Sequence, residues 1–380
     1  MIKRPGPTGP EATGKTFQLI ILGCWMAMQT FLLWKNGIYT DGESGKYIFQ
    51  AKLLLEENRL SSNNFNFYLV SISLIALSLK IKFGYLLPVI IQFILNFIAT
   101  LFFYRWAAVN FDRRTGLIAA IILVFFYPYQ EFNTFLQTES IYYSLIIIIT
   151  CYLFSISKLT GTTLIKILML LTLLCFTRPT GILFLPIAGI YVYLKFIRNY
   201  PGALQATIIF VTLAIFFLSL NSIMSSGGEL DFMLPFLQEH IICGVPTVNF
   251  NSQVADSTNN NVGGIIKHIL DNPAQFIYLA SKRSIAFFGL KREYYSPLHN
   301  VTIVGIFFLT YFLSIISIPA WIKKNFTSSV YIVITIAVTW FTAAITCDDW
   351  HNRFILALFP LFLMMSLPAT RVVISRIAST

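Results

Sequence analysis

Carboxylates are scarce in this sequence: 16 Asp and Glu among 380 residues, with charged residues of both signs at only 11 %. A soluble domain normally carries about 25 %, so a water-solvated globule is excluded as the main body of the chain. Histidine and cysteine are sparse too, at 4 and 5 residues, which leaves no dense disulfide framework and no His/Cys metal motif. No internal repeat and no paired broken helices of the transporter kind can be found. A cleaved leader is not expected either. Residues 2–15 are polar and rich in Pro and Gly, and the first apolar run, 17–34, is long enough to stay as a span.

Hydrophobicity is what the chain has in excess, at 56 % with 36 Phe. Apolar runs approaching or reaching bilayer-spanning length, roughly 17–25 residues, fall near 17–34, 84–107, 116–130, 139–157, 163–177, 181–196, 203–222, 298–320, 328–346 and 353–368. The net charge of +11 needs no nucleic-acid partner, because Lys and Arg collect at cytoplasmic helix ends. Arg113-Arg114, Lys158 with Lys166, Lys195 with Arg198, Lys323-Lys324 and Arg371 with Arg376 mark every second connection. The alternate connections, 132–137 and 177–180, carry little positive charge. This bias predicts an all-α polytopic membrane protein of about ten transmembrane helices, with a tail at 1–16, the basic turns and the C-terminus in the cytoplasm.

Residues 65–79 are apolar but short, broken by Ser71, Ser73 and Ser78, and closed by Lys80-Ile81-Lys82. If they crossed, every later basic turn would change side. The segment 36–83 therefore reads as one external loop lying on or dipping into the membrane, within a module spanning 17–222. A second external region, 223–297, has a polar middle at 249–261 that reads as a flexible loop. It closes with Asp271-Asn272-Pro273, a helix start. The helix predicted from 273 to about 291 mixes aromatic and basic residues as interfacial helices do. Residues 298–380 supply the last helices and a short tail. Cys24, Cys151 and Cys175 lie in apolar runs as small hydrophobes. Cys243 and Cys347 both fall outside, where a disulfide is open to them but sequence cannot supply its geometry.

With that sidedness, the unusual polar residues gather on the external face. Asp41 and Glu43, in Thr40-Asp41-Gly42-Glu43-Ser44, follow the first span; Glu131 and Glu139 flank the next external turn. Arg178 sits in Thr177-Arg178-Pro179-Thr180-Gly181, and Asp348, Asp349, His351 and Arg353 lie between the last two spans. Ionisable groups at membrane depth are costly and point to a site. Ordinary roles compete: Asp41 and Glu43 as solvated loop charges, Glu139 as a helix-start charge, Arg353 as a snorkelling end residue. A lone His351 or His240 beside acids is not a metal site without more ligands. Arg178 is hardest to explain away, because it interrupts an apolar stretch running from Leu164 to Tyr193. A carboxylate can take a proton from an acceptor hydroxyl, and arginine can hold a phosphate through its bidentate fork.

Further features run along the chain in order: Tyr47 and Ala51 after the acidic stretch, Asp112-Arg113-Arg114-Thr115-Gly116, Thr138-Glu139, Arg178-Pro179-Thr180-Gly181, Asn272-Pro273 with Phe276, and His351-Asn352-Arg353-Phe354 with Pro360. In these features the chain resembles the GT-C superfamily of integral-membrane glycosyltransferases. The likeness is greatest to the bacterial branch related to protein O-mannosyltransferases and the lipid A aminoarabinose transferase. The resemblance implies a GT-C-like bundle whose first external loop forms juxtamembrane helices and carries the catalytic acid residue. By position this is Asp41, with Glu43 as the alternative, because the family's tyrosine sits closer to its acidic pair than Tyr47 does to Asp41. It implies Glu139 as a second acidic site residue, Arg178 and Arg353 as contacts to the donor phosphate, and His351 and Tyr47 as further substrate contacts. No cofactor would be required, although Glu139 or Asp348-Asp349 could take a divalent metal. The partners implied are a polyprenyl-phosphate-linked sugar, a lipid, glycan or protein acceptor, and membrane lipid. The site would face the periplasm from a bacterial inner membrane. Two rival readings are a polymerase or ligase of lipid-linked saccharides, and a flippase or transporter of them.

Overall fold

The computed structural model describes residues 11–198, 201–225, 231, 233–248 and 260–377. Most of the polar stretch expected as a loop, 249–259, and most of the N-terminal tail, 1–10, lie outside the described residues. Among those described the protein is helical without a strand, and only two isolated bridges occur, Tyr39 with Phe135 and Ile242 with Asp348.

In chain order the principal helices are α1 (Glu11–Asn36), α2 (Glu43–Glu57), α3 (Leu69–Lys80), α4 (Leu86–Asn110), α5 (Arg113–Phe125), α6 (Glu139–Ser155) and α7 (Gly161–Thr177). They continue with α8 (Phe184–Val192), α9 (Gly202–Ser225), α10 (Val262–Asp271), α11 (Pro273–Gly289), α12 (Pro297–Ile345) and α13 (Arg353–Ile377). Six helical stretches are long and apolar enough to cross a membrane: 14–36, 86–110, 179–197, 205–225, 297–345 and 353–376. A seventh crossing arises if α5 and the helical stretch 127–134, bent by 68°, count as one. α6 and α7 are apolar but only 17 residues each.

The basic breaks and caps explain where elements stop. Asp112 caps α5, its carboxylate accepting from the Thr115 N–H at 2.8 Å and the Thr115 hydroxyl at 2.7 Å, the usual device for an orphan N-terminal donor. Gly116 then lets α5 close on α4, where a Cβ would meet the Ala108 nitrogen at 3.0 Å. The Asp112–Gly116 motif thus has a local structural role. Pro273 opens α11, as its sequence signal predicts.

Two of the predicted spans run on without a loop between them. Residues 298–320 and 328–346 are joined in α12, which is interrupted only at Asn325 (φ −147°, ψ 63°). As a straight rod its 49 residues would reach about 74 Å. It turns back instead: Arg292, just before α12, pairs with Asp348, just after it, while Lys324 donates to the Asn110 carbonyl at the far end of α4. Both ends of α12 therefore lie at one end of the bundle. Trp321 anchors the turn region, donating to the Met365 carbonyl at 3.0 Å and stacking on Trp106 at 6.0 Å.

The segment 37–85 leaves and returns at that same end. Tyr39 bridges to Phe135, and Gln92, early in α4, donates to the Phe135 carbonyl at 3.0 Å. α3 has 12 residues, about 18 Å, too short to cross, and Tyr47 of α2 packs on Tyr68, the residue just before α3. A buried amide network ties α1 to the next connection at this end. Gln29 donates to Gln130 at 3.1 Å, Asn133 to Gln130 at 2.7 Å, and Ser140 to Asn133 at 2.6 Å.

Candidate functional site

The site is built outward from the connection between α12 and α13. Asp349 lies one turn before Arg353. Its Oδ1 accepts the His351 backbone N–H and the Arg353 Nε–H, each at 2.9 Å, and its Oδ2 accepts Arg353 Nη2–H at 2.7 Å. Asn352 takes a left-handed conformation (φ 57°), tolerable for asparagine, and its amide donates to the Leu290 carbonyl at 2.8 Å. The other side of the connection is held as firmly. Asp348 pairs with Arg292, Cys243 N–H donates to the Asp348 carbonyl at 2.8 Å, and Cys243 is disulfide-bonded to Cys347 with Cα atoms 5.2 Å apart.

So held, Arg353 reaches two further carboxylates. Its Nη1 donates to Glu43 Oε2 and to Glu139 Oε1 at 3.0 Å, and its Nη2 to Glu43 Oε1 at 2.8 Å. Glu139 opens α6, is 1 % exposed, and also accepts Arg178 Nη1–H at 2.6 Å. Its Oε2 has no hydrogen-bond partner among the described residues. Arg178 is placed by the end of α7. Pro179 cannot continue the helix and pushes the preceding residue to extended backbone, and Arg178 is extended at φ −157°. Gly181 then passes so close to the preceding turn that a Cβ would lie 2.4 Å from the Leu174 carbonyl oxygen. The guanidinium of Arg178 rests against the rings of Tyr142 and Phe354, at 5.8 and 5.5 Å, a favourable cation–π placement.

Charge is balanced across this cluster. Glu43, Glu139 and Asp349 face Arg178, Arg353 and Lys46, the last 3.8 Å from Glu43. Burial alone would raise the Glu43 carboxyl, but hydrogen bonds and charge from Arg353 outweigh it and hold the group down at about 2. Asp349 is lowered likewise, burial again being overcome by Arg353. Burial pushes the Tyr47 hydroxyl well up and the His351 imidazole down.

Of the residues singled out from sequence, the structure brings together Glu43, Glu139, Arg178 and Arg353, with Tyr47 alongside. Asp41 is not in this cluster. Its side chain is exposed, and Gly42 between the two acids has φ 58°, a left-handed turn that parts them. His351 packs among the rings of Trp350, Tyr295 and Phe132, at 3.7, 6.2 and 6.5 Å. Glu139 and the Asp348-Asp349 pair, read as possible metal ligands, are engaged by arginines. Sequence reading missed Lys46 and underrated Asp349. Their signals were spacing alone: Lys46 follows Glu43 by three residues on one face of α2, and Asp349 precedes Arg353 by four.

A cavity of about 560 Å³ opens against the cluster, with Glu43, Lys46, Tyr47, Arg178, Asp349 and Arg353 in its wall. Tyr68 belongs to the same wall. A second, apolar hollow of about 740 Å³ runs between α3 and α7, from Leu69 and Leu74 on one side to Met169 and Phe176 on the other. The two walls nearly meet along the chain, Tyr68 beside Leu69 and Phe176 just before Arg178. Comparison of the sequence with models of protein families and with curated proteins gives no match.

Proposed function

We propose that this protein is a membrane glycosyltransferase that moves a sugar from a polyprenyl-phosphate-linked donor to an acceptor hydroxyl. The observation that carries the reading is the adjacency of a charged, arginine-bearing cavity to an apolar hollow between α3 and α7. A lipid-linked sugar phosphate needs both: apolar walls for the tail and guanidinium groups for the phosphate.

In this reading the donor phosphate competes with Glu43 for the fork of Arg353, and Arg178 offers its remaining N–H groups. Displaced from Arg353, Glu43 regains basicity and stands beside the acceptor. The acceptor oxygen forms a bond to the sugar's anomeric carbon as the bond to the phosphate oxygen breaks. The hydroxyl proton passes to the Glu43 carboxylate, and the polyprenyl phosphate leaves held by arginine, with inversion. Glu139 keeps the two arginines at a fixed separation. Glu43 is preferred to Asp41 because it lies in the cavity wall. The apolar segments, with α12 counted as a hairpin at Asn325, amount to about ten crossings of a bacterial inner membrane. α2 and α3 lie at its outer surface, and the Cys243–Cys347 disulfide suits an oxidising, periplasmic side.

The test is purified protein in lipid nanodiscs with a polyprenyl-phosphate sugar and a panel of hydroxyl acceptors. Release of polyprenyl phosphate that is lost in Glu43→Gln supports the reading. Normal turnover in that variant removes Glu43 from the chemistry. Movement of intact lipid-linked sugar across vesicles without bond cleavage would make the protein a transporter, and transfer of oligosaccharides alone would make it a polymerase or ligase.

A further inference from the structure

At the end of the bundle opposite the carboxylate–arginine cluster, two more cavities adjoin, of about 420 and 300 Å³. They share Lys324 and Asn325, the point where α12 turns back. The first is walled by Trp321, Phe111 and Pro368 and carries Arg371 at its rim; the second holds Lys195, Tyr191 and Thr327. Their charges are unbalanced. Lys195 donates to the Leu153 and Phe154 carbonyls at 3.2 and 3.3 Å and to the Tyr191 hydroxyl at 2.9 Å. Lys324 donates to the Asn110 carbonyl and lies over the Phe111 ring at 4.8 Å. Neither forms an ion pair among the described residues. The only carboxylate found here among them is Asp112, 3.4 Å from Arg371.

Two lysines drawn into one polar recess without an anion make a site that lacks its counter-charge. Lys195, its three N–H groups already engaged, brings charge to the recess, while Lys324, with one hydrogen bond to Asn110, can offer a phosphate its remaining N–H groups. Around the recess the protein exposes apolar side chains, Ile318, Ile322 and Val372 among them, which suit acyl chains beside the headgroup. We propose that the paired cavities around Lys324 and Asn325 bind the phosphate headgroup of an anionic phospholipid from the leaflet at that end. Basic pockets between transmembrane helices are a general means of holding such headgroups. The inference is independent of the glycosyl-transfer reading, because it uses none of the same residues.

Native mass spectrometry of the full-length protein with phosphatidylglycerol or phosphatidylcholine tests the site. The expected result is selective retention of phosphatidylglycerol, weakened roughly tenfold or more in Lys195→Gln/Lys324→Gln and unchanged in Lys323→Gln. Because Lys195 also holds backbone carbonyls, Lys324→Gln/Arg371→Gln is the second variant and decides if the first is misfolded. Equal retention of the two lipids, or undiminished phosphatidylglycerol in a folded double variant, overturns the proposal. Displacement of phosphatidylglycerol by an equal concentration of inorganic phosphate would overturn the lipid assignment in favour of a soluble anion.

Discussion

Arg353 and Asp349 are joined by two parallel hydrogen bonds, Nε to Oδ1 at 2.9 Å and Nη2 to Oδ2 at 2.7 Å, between the first residue of α13 and the connection before it. This bidentate grip fixes the guanidinium plane and aims Nη1, with a share of Nη2, at Glu43 and Glu139. Asp349 is therefore the residue that orients Arg353.

Replacing Asp349 with Ala leaves a buried arginine short of one carboxylate, a change that costs about 3–5 kcal/mol when a buried pair is broken. Asp349→Asn keeps one acceptor and is expected to be milder. The measurements are thermal unfolding in detergent and donor KM against kcat. Under the proposed transfer reaction, a lost orienting role raises KM for the lipid-linked donor, whereas a purely structural role lowers yield and leaves KM unchanged.

If the proposed transfer is right, Glu43→Gln lowers it by about 10²- to 10⁴-fold, the range for loss of a general base, while Asp41→Asn stays within a few-fold of wild type. Initial rates of polyprenyl phosphate release compare the two. The reverse order would return the role to Asp41.

Arg178 touches Glu139 through one nitrogen only, so the rest of its fork is available to a ligand. Arg178→Lys keeps the charge and loses the fork. Donor binding is expected to weaken by about tenfold, in line with the loss of one or two charge-assisted hydrogen bonds. Titration of a lipid phosphate analogue measures it, and unchanged affinity would show that Arg178 serves only Glu139.

The depressed Glu43 carboxyl predicts acid sensitivity of a definite sign. Its value falls from 4.5 to about 2 in the folded protein, so its contribution to stability is complete above about pH 4.5. That contribution disappears as pH falls through about 2. Glu43→Gln should flatten the melting-temperature profile across that interval. An unchanged profile would mean that the Arg353 contact is not formed in solution.

Gly181→Ala is expected to destabilise the protein severely, because a Cβ at 2.4 Å from the Leu174 carbonyl forces the turn that carries Arg178 to move. Folded yield and melting temperature check this, and a well-folded Gly181→Ala protein would show that the turn is looser than described.

The helical, apolar character of the chain and several of its breaks were the legible part of the sequence. Arg113-Arg114 and Lys323-Lys324 mark the two turns that meet around Asn110 and Lys324, and of the acids on the other connections Glu43, Glu139 and Asp349 converge on Arg353. What could not be read was direction within a few residues. Asp41 and Glu43 are equivalent as letters, and only the left-handed backbone at Gly42 sends one outward and leaves the other in the cavity wall. The same holds for Asp348 and Asp349, one bound to Arg292 and the other to Arg353. Such choices rest on which partner each acid meets, 310 positions away for Glu43 and 56 for Asp348, which periodicity does not encode. α12 shows the opposite case, since Lys323-Lys324 marks in sequence the break that the backbone makes at Asn325.

The cluster around Arg353 also sets an order of assembly. During synthesis Glu139 can meet Arg178 as soon as α6 and α7 emerge, so this acid and base can neutralise each other early. Glu43 must wait: the arginine that grips it lies 310 positions downstream, and the disulfide that steadies that arginine's connection spans 104 positions. A chain stopped before α13 would keep its apolar helices and still lack the group that gathers its carboxylates. Completion of the last helix is thus the event that converts an inserted bundle into a closed site.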